Sequence, residues 1–362
     1  MSPSEPLFTP GPVTLPDSVR RLGGEPMVYH RTAEFSATVT RCEWLLRELC
    51  GAGAPDRALI LTASGTGAME ATVLNLLQAG DTVIVVQGGD FGARLAEICE
   101  CHGVGVRRLG IRPGSSCGAE DLARMPAEGA RALLITHHET STGALHDLAA
   151  ASRYCREHGL LLCVDAVGSF LAAPLAMAAL GVDALIFSSQ KALALPPGLS
   201  FVVLSSRAIA HARRLPRRSY YFDFSRHLAD LERGQTPFTP AVGLIRQLEV
   251  RLEEISAEGA AGAVARVRHL ARHFRGLLDG LPYALFAATP SNAVTALRPT
   301  DGRPATAHVA DLRRRGFTVC PNGGGLAETI FRVGHLGALT VEDNLALAQA
   351  MGAGSAPAAI NH

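Results

Sequence analysis

Six short apolar runs recur along the first two-thirds of the chain: "ALILT" (58–62), "TVIVVQ" (82–87), "ALLITH" (132–137), "LLLCVD" (160–165), "ALIFSS" (184–189) and "FVVLSS" (201–206). Between them, "GAMEATVLNLLQAG" (67–80), "FGARLAEICECHG" (91–103) and "LHDLAAASRYCREHG" (145–159) carry apolar residues near helical spacing and stop at a glycine. Short runs that are apolar throughout predict strands covered on both faces. Their alternation with helices predicts an α/β architecture with an open, mostly parallel sheet. Ligands of such sheets sit at the carboxyl ends of the strands, so the residues there are the first candidates for chemistry.

After residue 206 the pattern changes. "RRLPRRSYYFDFSRHLADLERGQTPFTPAV" reads as an arginine- and aromatic-rich loop region, and a long helical stretch follows over 241–279, interrupted at "AEGAAGA" (257–263). Short strands "AVTALRP", "FTVCPN" and "TIFRVG" around the helical "ATAHVADLRRRG" then predict a smaller α/β unit.

Composition narrows the function classes. A formal net charge of +1 gives no basic footprint for nucleic acid and no acidic tail. No apolar run approaches the roughly 20 residues that span a bilayer, and "MSPSEPLFTPGPV" lacks the basic segment and apolar core of a secretory signal. The expectation is a cytoplasmic protein with neither membrane nor nucleic acid as partner. Eight cysteines are scattered through apolar or helical patterns without a CxxC, which reads as buried thiols in a reducing compartment. The histidine pair at 137 and 138 points to opposite faces if it lies on a strand, so no metal site is expected there or elsewhere.

Lys191, in "FSSQKALALPPGLSF", is the single lysine among 34 Lys and Arg residues. A bias toward arginine accounts for the loss of the others but not for this survivor. A lysine amine can lose its proton and attack a carbonyl, whereas a guanidinium stays charged. A lone lysine just past an apolar strand, followed by a stiff "LPPG" turn, suits a Schiff-base lysine; a solvated surface lysine is the plain alternative. Asp165 ends the strand "LLLCVD", where a buried carboxylate needs a cationic partner such as a protonated pyridine nitrogen, or else caps the next helix. "ASGTGAMEA" (63–71) turns from a strand into a helix whose first amides can hold a phosphate, though it is neither a Walker loop nor a GxGxxG fingerprint. Phe91, in "GGDFGAR", follows a third strand, where it either stacks on a flat ring or fills core. Together these describe a pyridoxal phosphate pocket.

The chain resembles the class V aminotransferases among the fold-type I pyridoxal phosphate enzymes, particularly the alanine–glyoxylate, serine–glyoxylate and 2-aminoethylphosphonate–pyruvate transaminases. The resemblance runs from "FTPGPV" to "FRVGHLG"; "SSQKALALPPGLSF" is its most specific element, and "HHETSTGAL", "VDAVGSF", "GQTPFTPAV" and the 26-residue step from Asp165 to Lys191 also match. It implies a mostly parallel central sheet with helices on both faces, within a large cofactor domain at 1–262 that includes an amino-terminal active-site loop. A small domain at 263–354 would carry the substrate-carboxylate arginine, and 355–362 would be a flexible tail.

Carried over by position, the resemblance makes Lys191 the Schiff-base and proton-shuttle lysine and Asp165 the partner of the pyridine nitrogen. Phe91 stacks on the ring; Thr66, Gly67, Ala68 and Gln190 hold the phosphate; Thr140 bonds the phenolic oxygen. Thr239 reaches the phosphate of a neighbouring subunit, which implies a homodimer with shared active sites. Arg332 grips the substrate carboxylate, with Gly11 lying over the substrate. Arg31, in "YHRTAEF", either holds a second anionic group or anchors its loop. The expected reaction moves an amino group from a small amino acid or aminophosphonate to glyoxylate or pyruvate. A lyase or desulfurase on the same fold is the alternative. It calls for a mobile nucleophilic cysteine, and the nearest candidate, Cys320, precedes "PNGGG" at a strand end and reads as a packing residue. A non-catalytic binding protein that keeps the fold ranks third. His335, beside a core strand, is expected to be structural, and the 213–224 segment either frames the entrance to the site or, as an arginine run more often does, forms a solvated or dimer-facing surface.

Overall fold

The strands of the computed structural model, which describes residues 5–353, are β1 (Leu7–Phe8), β2 (Arg57–Leu61), β3 (Thr82–Gln87), β4 (Gly105–Gly110), β5 (Ala130–Thr136), β6 (His138–Glu139), β7 (Ala144–Leu145), β8 (Leu161–Asp165), β9 (Ala184–Ser188), β10 (Ser200–Leu204), β11 (Tyr283–Leu285), β12 (Val294–Pro299), β13 (Thr318–Pro321) and β14 (Phe331–Gly334). The tail expected at 355–362 lies outside the described residues. Seven strands form the large sheet in the order β2-β10-β9-β8-β5-β3-β4. From β9 to β4 all neighbours are parallel, whereas β10 runs antiparallel to both β9 and β2. Residues 83–86 and all five residues of β8, β9 and β10 are buried, as continuous apolar runs between two helical layers require.

The helices start and stop on local chemistry. Thr32 accepts from Phe35 N at the head of Ala33–Cys50, and Gly51 closes that helix at φ 61°. Asp147 and Ser205 cap Leu148–His158 and Ser206–Ala212 in the same way.

A second sheet, β1-β13-β14-β12-β11, is built from the carboxyl-terminal third of the chain plus one strand from the amino terminus. Leu7 and Phe8 pair in parallel with Thr318 and Val319, and Phe8 is buried in this sheet's core with Phe274, Phe331 and Leu347. The helix Val242–Gly276 serves both cores. Ile245, Leu248 and Leu252 pack in the first, Leu270 and Phe274 in the second, and Gly259 breaks the helix between them at φ 76° and ψ 155°. Among the described residues no helix is long and apolar enough to cross a membrane.

Candidate active site

Lys191 sits three residues beyond β9 in a loop that is closed upon itself. Ser189 donates its hydroxyl to Pro196 O (2.7 Å) and its Oγ accepts from Leu199 N (3.3 Å), while Leu195 N reaches back to Ser189 O (3.0 Å). Ala194 takes a left-handed φ of 54° to complete the turn. This frame fixes where the lysine stem leaves the backbone. The amino-terminal segment covers the stem: a Cβ on Gly11 would lie 2.6 Å from Lys191 Cδ and 2.7 Å from Gln190 O, at a φ of +136° that side chains rarely adopt. Burial pushes the Lys191 amine down to about 8, and the positive Arg332 adds to that, while Asp165 pulls the other way.

Asp165 ends β8, and its register partner on β5 is Thr136. Its carboxylate accepts from Val167 N (2.9 Å) and Thr136 Oγ1 (3.3 Å) and is otherwise enclosed, with 2% exposure. Desolvation raises it to about 7, against the partial relief of the Val167 amide. It does not cap a helix. Its second oxygen has only a long hydroxyl bond, so a cation placed opposite would satisfy it.

The turn after β2 abuts these strand ends. Ser64 caps the helix Gly65–Leu76 by accepting from Gly67 N (3.3 Å), and a Cβ on Gly65 would touch Val167 Cγ2 at 3.0 Å. Thr66 is exposed at the mouth of this turn and Gly67 is half-buried beside it. Ala68 differs from expectation: it is buried, and its amide closes the first helical turn on Ser64 O (3.2 Å), so it is not a free donor. Phe222, in the arginine- and aromatic-rich segment, walls the same turn, 3.4 Å from where a Gly67 Cβ would be.

Phe91 is half-buried at the head of the helix Asp90–Cys101. That helix start is held by Glu139, which is fully buried and accepts from Phe91 N (3.3 Å), Gly92 N (3.1 Å) and Ser141 Oγ (2.6 Å). An anion at a helix amino terminus complements the exposed amides there, although burial still raises its pKa. Thr140 follows Glu139 and faces Gly168, whose Cβ would lie 2.9 Å from Thr140 Oγ1. Its carbonyl accepts from Arg332 Nη1 (3.2 Å). Arg332 Nη2 donates to Pro321 O (2.6 Å) and to Cys320 Sγ (3.1 Å), its register partner across β13 and β14, and Nε is buried without a partner.

Lys191, Gln190 and Gly11 therefore meet at one point. The chain of contacts from Gly65 through Val167 and Gly168 to Thr140 and Arg332 joins the three strand ends. Two expected residues stand apart. Arg31 Nη1 is tied to Gln235 Oε1 (2.8 Å) and Thr236 O (2.9 Å), which anchors its loop to the "GQTPFTP" segment. Thr239, farther along that segment, is exposed on the surface of the chain. His335 is buried against Phe274, pushed down to about 3, and bonded to Thr295 Oγ1 (2.7 Å).

Sequence reasoning passed over Thr136, Glu139 and Arg94. Arg94 donates from Nη1 to Thr66 Oγ1 (3.2 Å), and its guanidinium lies 4.8 Å from the Phe91 ring centre. Its place in "GGDFGAR", three residues after Phe91, was the available signal, since i and i+3 share a helix face. Glu139 and Thr136 gave no local signal, because their partners are far away in sequence. Among the described residues no group of three or more His, Cys, Asp or Glu is placed to hold a metal ion.

The residues fit pyridoxal phosphate on this chain's own evidence. A desolvated amine, an enclosed carboxylate wanting a cation, a capped helix start beside both and an aromatic ring match the aldehyde, the pyridinium, the phosphate and the ring face.

Comparison with known proteins agrees with that chemistry. The family model "Aminotransferase class-V" matches residues 19–294. An L-aspartate–glyoxylate aminotransferase of Paracoccus denitrificans is 33% identical, with 94% of this chain and 88% of that protein covered. The small subunit of a soluble hydrogenase of Synechococcus is 35% identical, covering 95% and 91%. The crystal structure of an aspartate aminotransferase from Thermus thermophilus superposes with a TM-score of 0.89 at 34% identity, covering 95% of this chain and 97% of that one.

Proposed function

Because the chain belongs to the class V aminotransferases, which are pyridoxal phosphate enzymes of fold type I, we propose that it moves an amino group from a small amino acid or aminophosphonate to glyoxylate or pyruvate, with Lys191 as its proton shuttle. The observation that carries this reading is the Lys191 amine, brought to about 8 beside Asp165 and Arg332. Glyoxylate as acceptor draws on the name of the Paracoccus relative.

When bound, the cofactor supplies an aldehyde that takes up the amino group and a ring that withdraws electrons from the carbon bearing it. Lys191 Nζ would hold that aldehyde and be freed as the substrate amine arrives. Near neutral pH a useful fraction of the amine is unprotonated, so Nζ removes the substrate α-proton and then returns it on the other side of the transferred nitrogen. Asp165 would keep a proton on the ring nitrogen, an ion pair that also relieves its own burial. Arg332 presents its unpartnered Nε and part of its fork to the substrate carboxylate, so the α-carbon is brought to Lys191 rather than left to diffuse. Thr66, Gly67 and the Gln190 side chain would hold the phosphate, Thr140 the phenolic oxygen and Phe91 the ring face. Gly11, pressed on the lysine stem, excludes water from that side. Arg31 acts by anchoring the 235–236 turn.

A homodimer completes the site in this reading. Met27, Tyr29 and Tyr220 are 71%, 66% and 69% exposed, an apolar display that a second copy would cover, and Thr239 stands free on the same chain surface to reach across. The two hydrophobic clusters support a large unit and a smaller one that begins near the expected 262/263 boundary, although Ala263, Val267, Ala293, Val294 and Leu336 still pack in the first core and β1 crosses over to the smaller unit. Cytoplasmic location is supported by eight free cysteines, of which only Cys101 is exposed. A lyase or desulfurase finds less support. Cys320, its nearest thiol, is held by Arg332 on a strand end instead of riding a mobile loop.

The test is the visible spectrum of the purified holoprotein during addition of alanine, serine, aspartate or 2-aminoethylphosphonate, one at a time. Conversion of the yellow form by one donor, reversed by glyoxylate or pyruvate, is the expected result and names the donor. Product release without that reversible change would turn the reading to the lyase.

A further inference from the structure

Arg94 has no role in the reading above, yet it stands between two residues that do. It lies one turn into the helix Asp90–Cys101, on the face that carries Phe91. Its Nη1 donates to Thr66 Oγ1 (3.2 Å), its guanidinium covers the Phe91 ring at 4.8 Å, and among the described residues no carboxylate pairs with it. Other half-buried arginines do find a carboxylate: Arg47 and Arg57 share Glu43, and Arg246 meets Glu25. The Arg94 charge also bears on the amine of Lys191, which places it within the electrostatic reach of the pocket. An uncompensated, half-buried cation at the mouth of a helix amino terminus is half of an ion pair. The turn from Ser64 to Gly67 otherwise brings only neutral amides and hydroxyls, while a phosphate monoester carries close to two negative charges near neutral pH.

We propose that Arg94 is the charge partner of the cofactor's phosphate, acting through Thr66. A threonine hydroxyl has one hydrogen to donate and two lone pairs. When Arg94 fills one lone pair, the Thr66 O–H is left free to donate outward to an oxyanion. The guanidinium then contributes its charge from one hydroxyl away and fixes the direction of that donor. The same side chain braces Phe91 from its ring face, so Arg94 is a positioning residue for two holders of the cofactor. This inference rests on the proposal that the phosphate lies at the start of the helix Gly65–Leu76.

The test compares pyridoxal 5'-phosphate with pyridoxal, which lacks the phosphate. Dissociation constants for both are read from absorbance on the reconstituted protein, for wild type and for Arg94→Gln, Arg94→Lys, Thr66→Ala and Ser64→Ala. Arg94→Gln is expected to weaken pyridoxal phosphate about 10-fold or more while changing pyridoxal less than about twofold, with Arg94→Lys recovering most of the loss. Added salt should narrow the difference between wild type and Arg94→Gln. Equal weakening of both ligands would mean that Arg94 serves only Phe91, and unchanged dissociation constants for both would mean that it serves neither; both overturn the proposal. If Thr66→Ala and Ser64→Ala also leave the preference for the phosphorylated ligand untouched, the phosphate site itself is misplaced. If those two reduce it and Arg94→Gln does not, only the present inference fails.

Discussion

Asp165→Asn separates the cost of the buried carboxylate from its use. In the folded cofactor-free protein this carboxyl is raised to about 7 from its ordinary 3.8. A difference of about three units corresponds to about 4 kcal/mol of destabilisation once the group is fully ionised. The sign follows from which state holds the proton. Below pH about 4 both folded and unfolded chains are protonated at Asp165, and it costs nothing. As pH rises from about 4 to about 7 the unfolded chain releases the proton while the folded one retains it. Folding stability then falls by about 1.4 kcal/mol per pH unit and levels off above pH 7. Asparagine keeps a carbonyl oxygen for Val167 N but loses the second acceptor, at a cost of about 1 kcal/mol. Cofactor-free Asp165→Asn should therefore be more stable than wild type by about 3 kcal/mol at pH 8 and less stable by up to about 1 kcal/mol at pH 4. Urea unfolding of both proteins at several pH values reads this directly. In the same series, added pyridoxal phosphate should stabilise wild type far more than the variant, because only the carboxylate gains a cationic partner. Equal stability at pH 8, or an equal gain from the cofactor, would refute the reasoning.

Gly11→Ala drives a methyl group against Lys191 Cδ and Gln190 O at a φ unfavourable for alanine; it should cost about 1–3 kcal/mol in chemical denaturation and lower kcat by displacing the lysine stem. Glu139→Ala strips the acceptor from three amides and the Ser141 hydroxyl, so it should destabilise by about 3 kcal/mol and broaden the cofactor's absorbance band as Phe91 loosens. Arg332→Lys keeps the charge but loses the planar fork, and steady-state kinetics should show KM for the amino acid raised about 10-fold or more, with a smaller effect on kcat. In cofactor-free protein the Lys191 amine should titrate near pH 8, protonated below and neutral above, and react with a small aldehyde reagent accordingly. A rate independent of pH between 6.5 and 9.5, or a midpoint near the ordinary lysine value, would contradict the desolvated placement.

How much of this could be read before the fold was known depended on whether a feature is local. Runs such as "TVIVVQ" and "ALIFSS" announce buried strands because covered strands are apolar on both faces. The same run "FVVLSS" says nothing of direction, and β10 proves antiparallel to both neighbours. The edge strand β4 was missed because "GVRRLG" has no buried residue and carries two adjacent arginines at its centre, which breaks the apolar run. β1 was missed because two residues of the amino terminus become a strand only through pairing with β13. The break in the long helix was legible, since glycines crowd "AEGAAGA", and it falls at Gly259. At the site, Lys191 and Asp165 stood out because their chemistry is unusual at a strand end. Ala68 was misread for want of the cap: with Ser64 closing the first turn, the fourth residue's amide is already inside the helix. Thr136 and Glu139 act through partners that are 29 and 47–48 residues away, and no window of sequence contains such pairs; Arg94 had a local signal in its spacing from Phe91, but its bond to Thr66 spans 28 residues.

The claim on which the rest depends is that the amine of Lys191 holds the cofactor. Its status as the single lysine makes the decisive measurement simple. The yellow holoprotein is reduced with borohydride, digested and mapped by mass spectrometry. The account predicts a pyridoxyl adduct on the peptide containing Lys191, close to one per chain, and its absence when the amino donor is present in excess before reduction. An adduct at the amino terminus alone, or a yellow protein that reduction leaves unlabelled at Lys191, would contradict it.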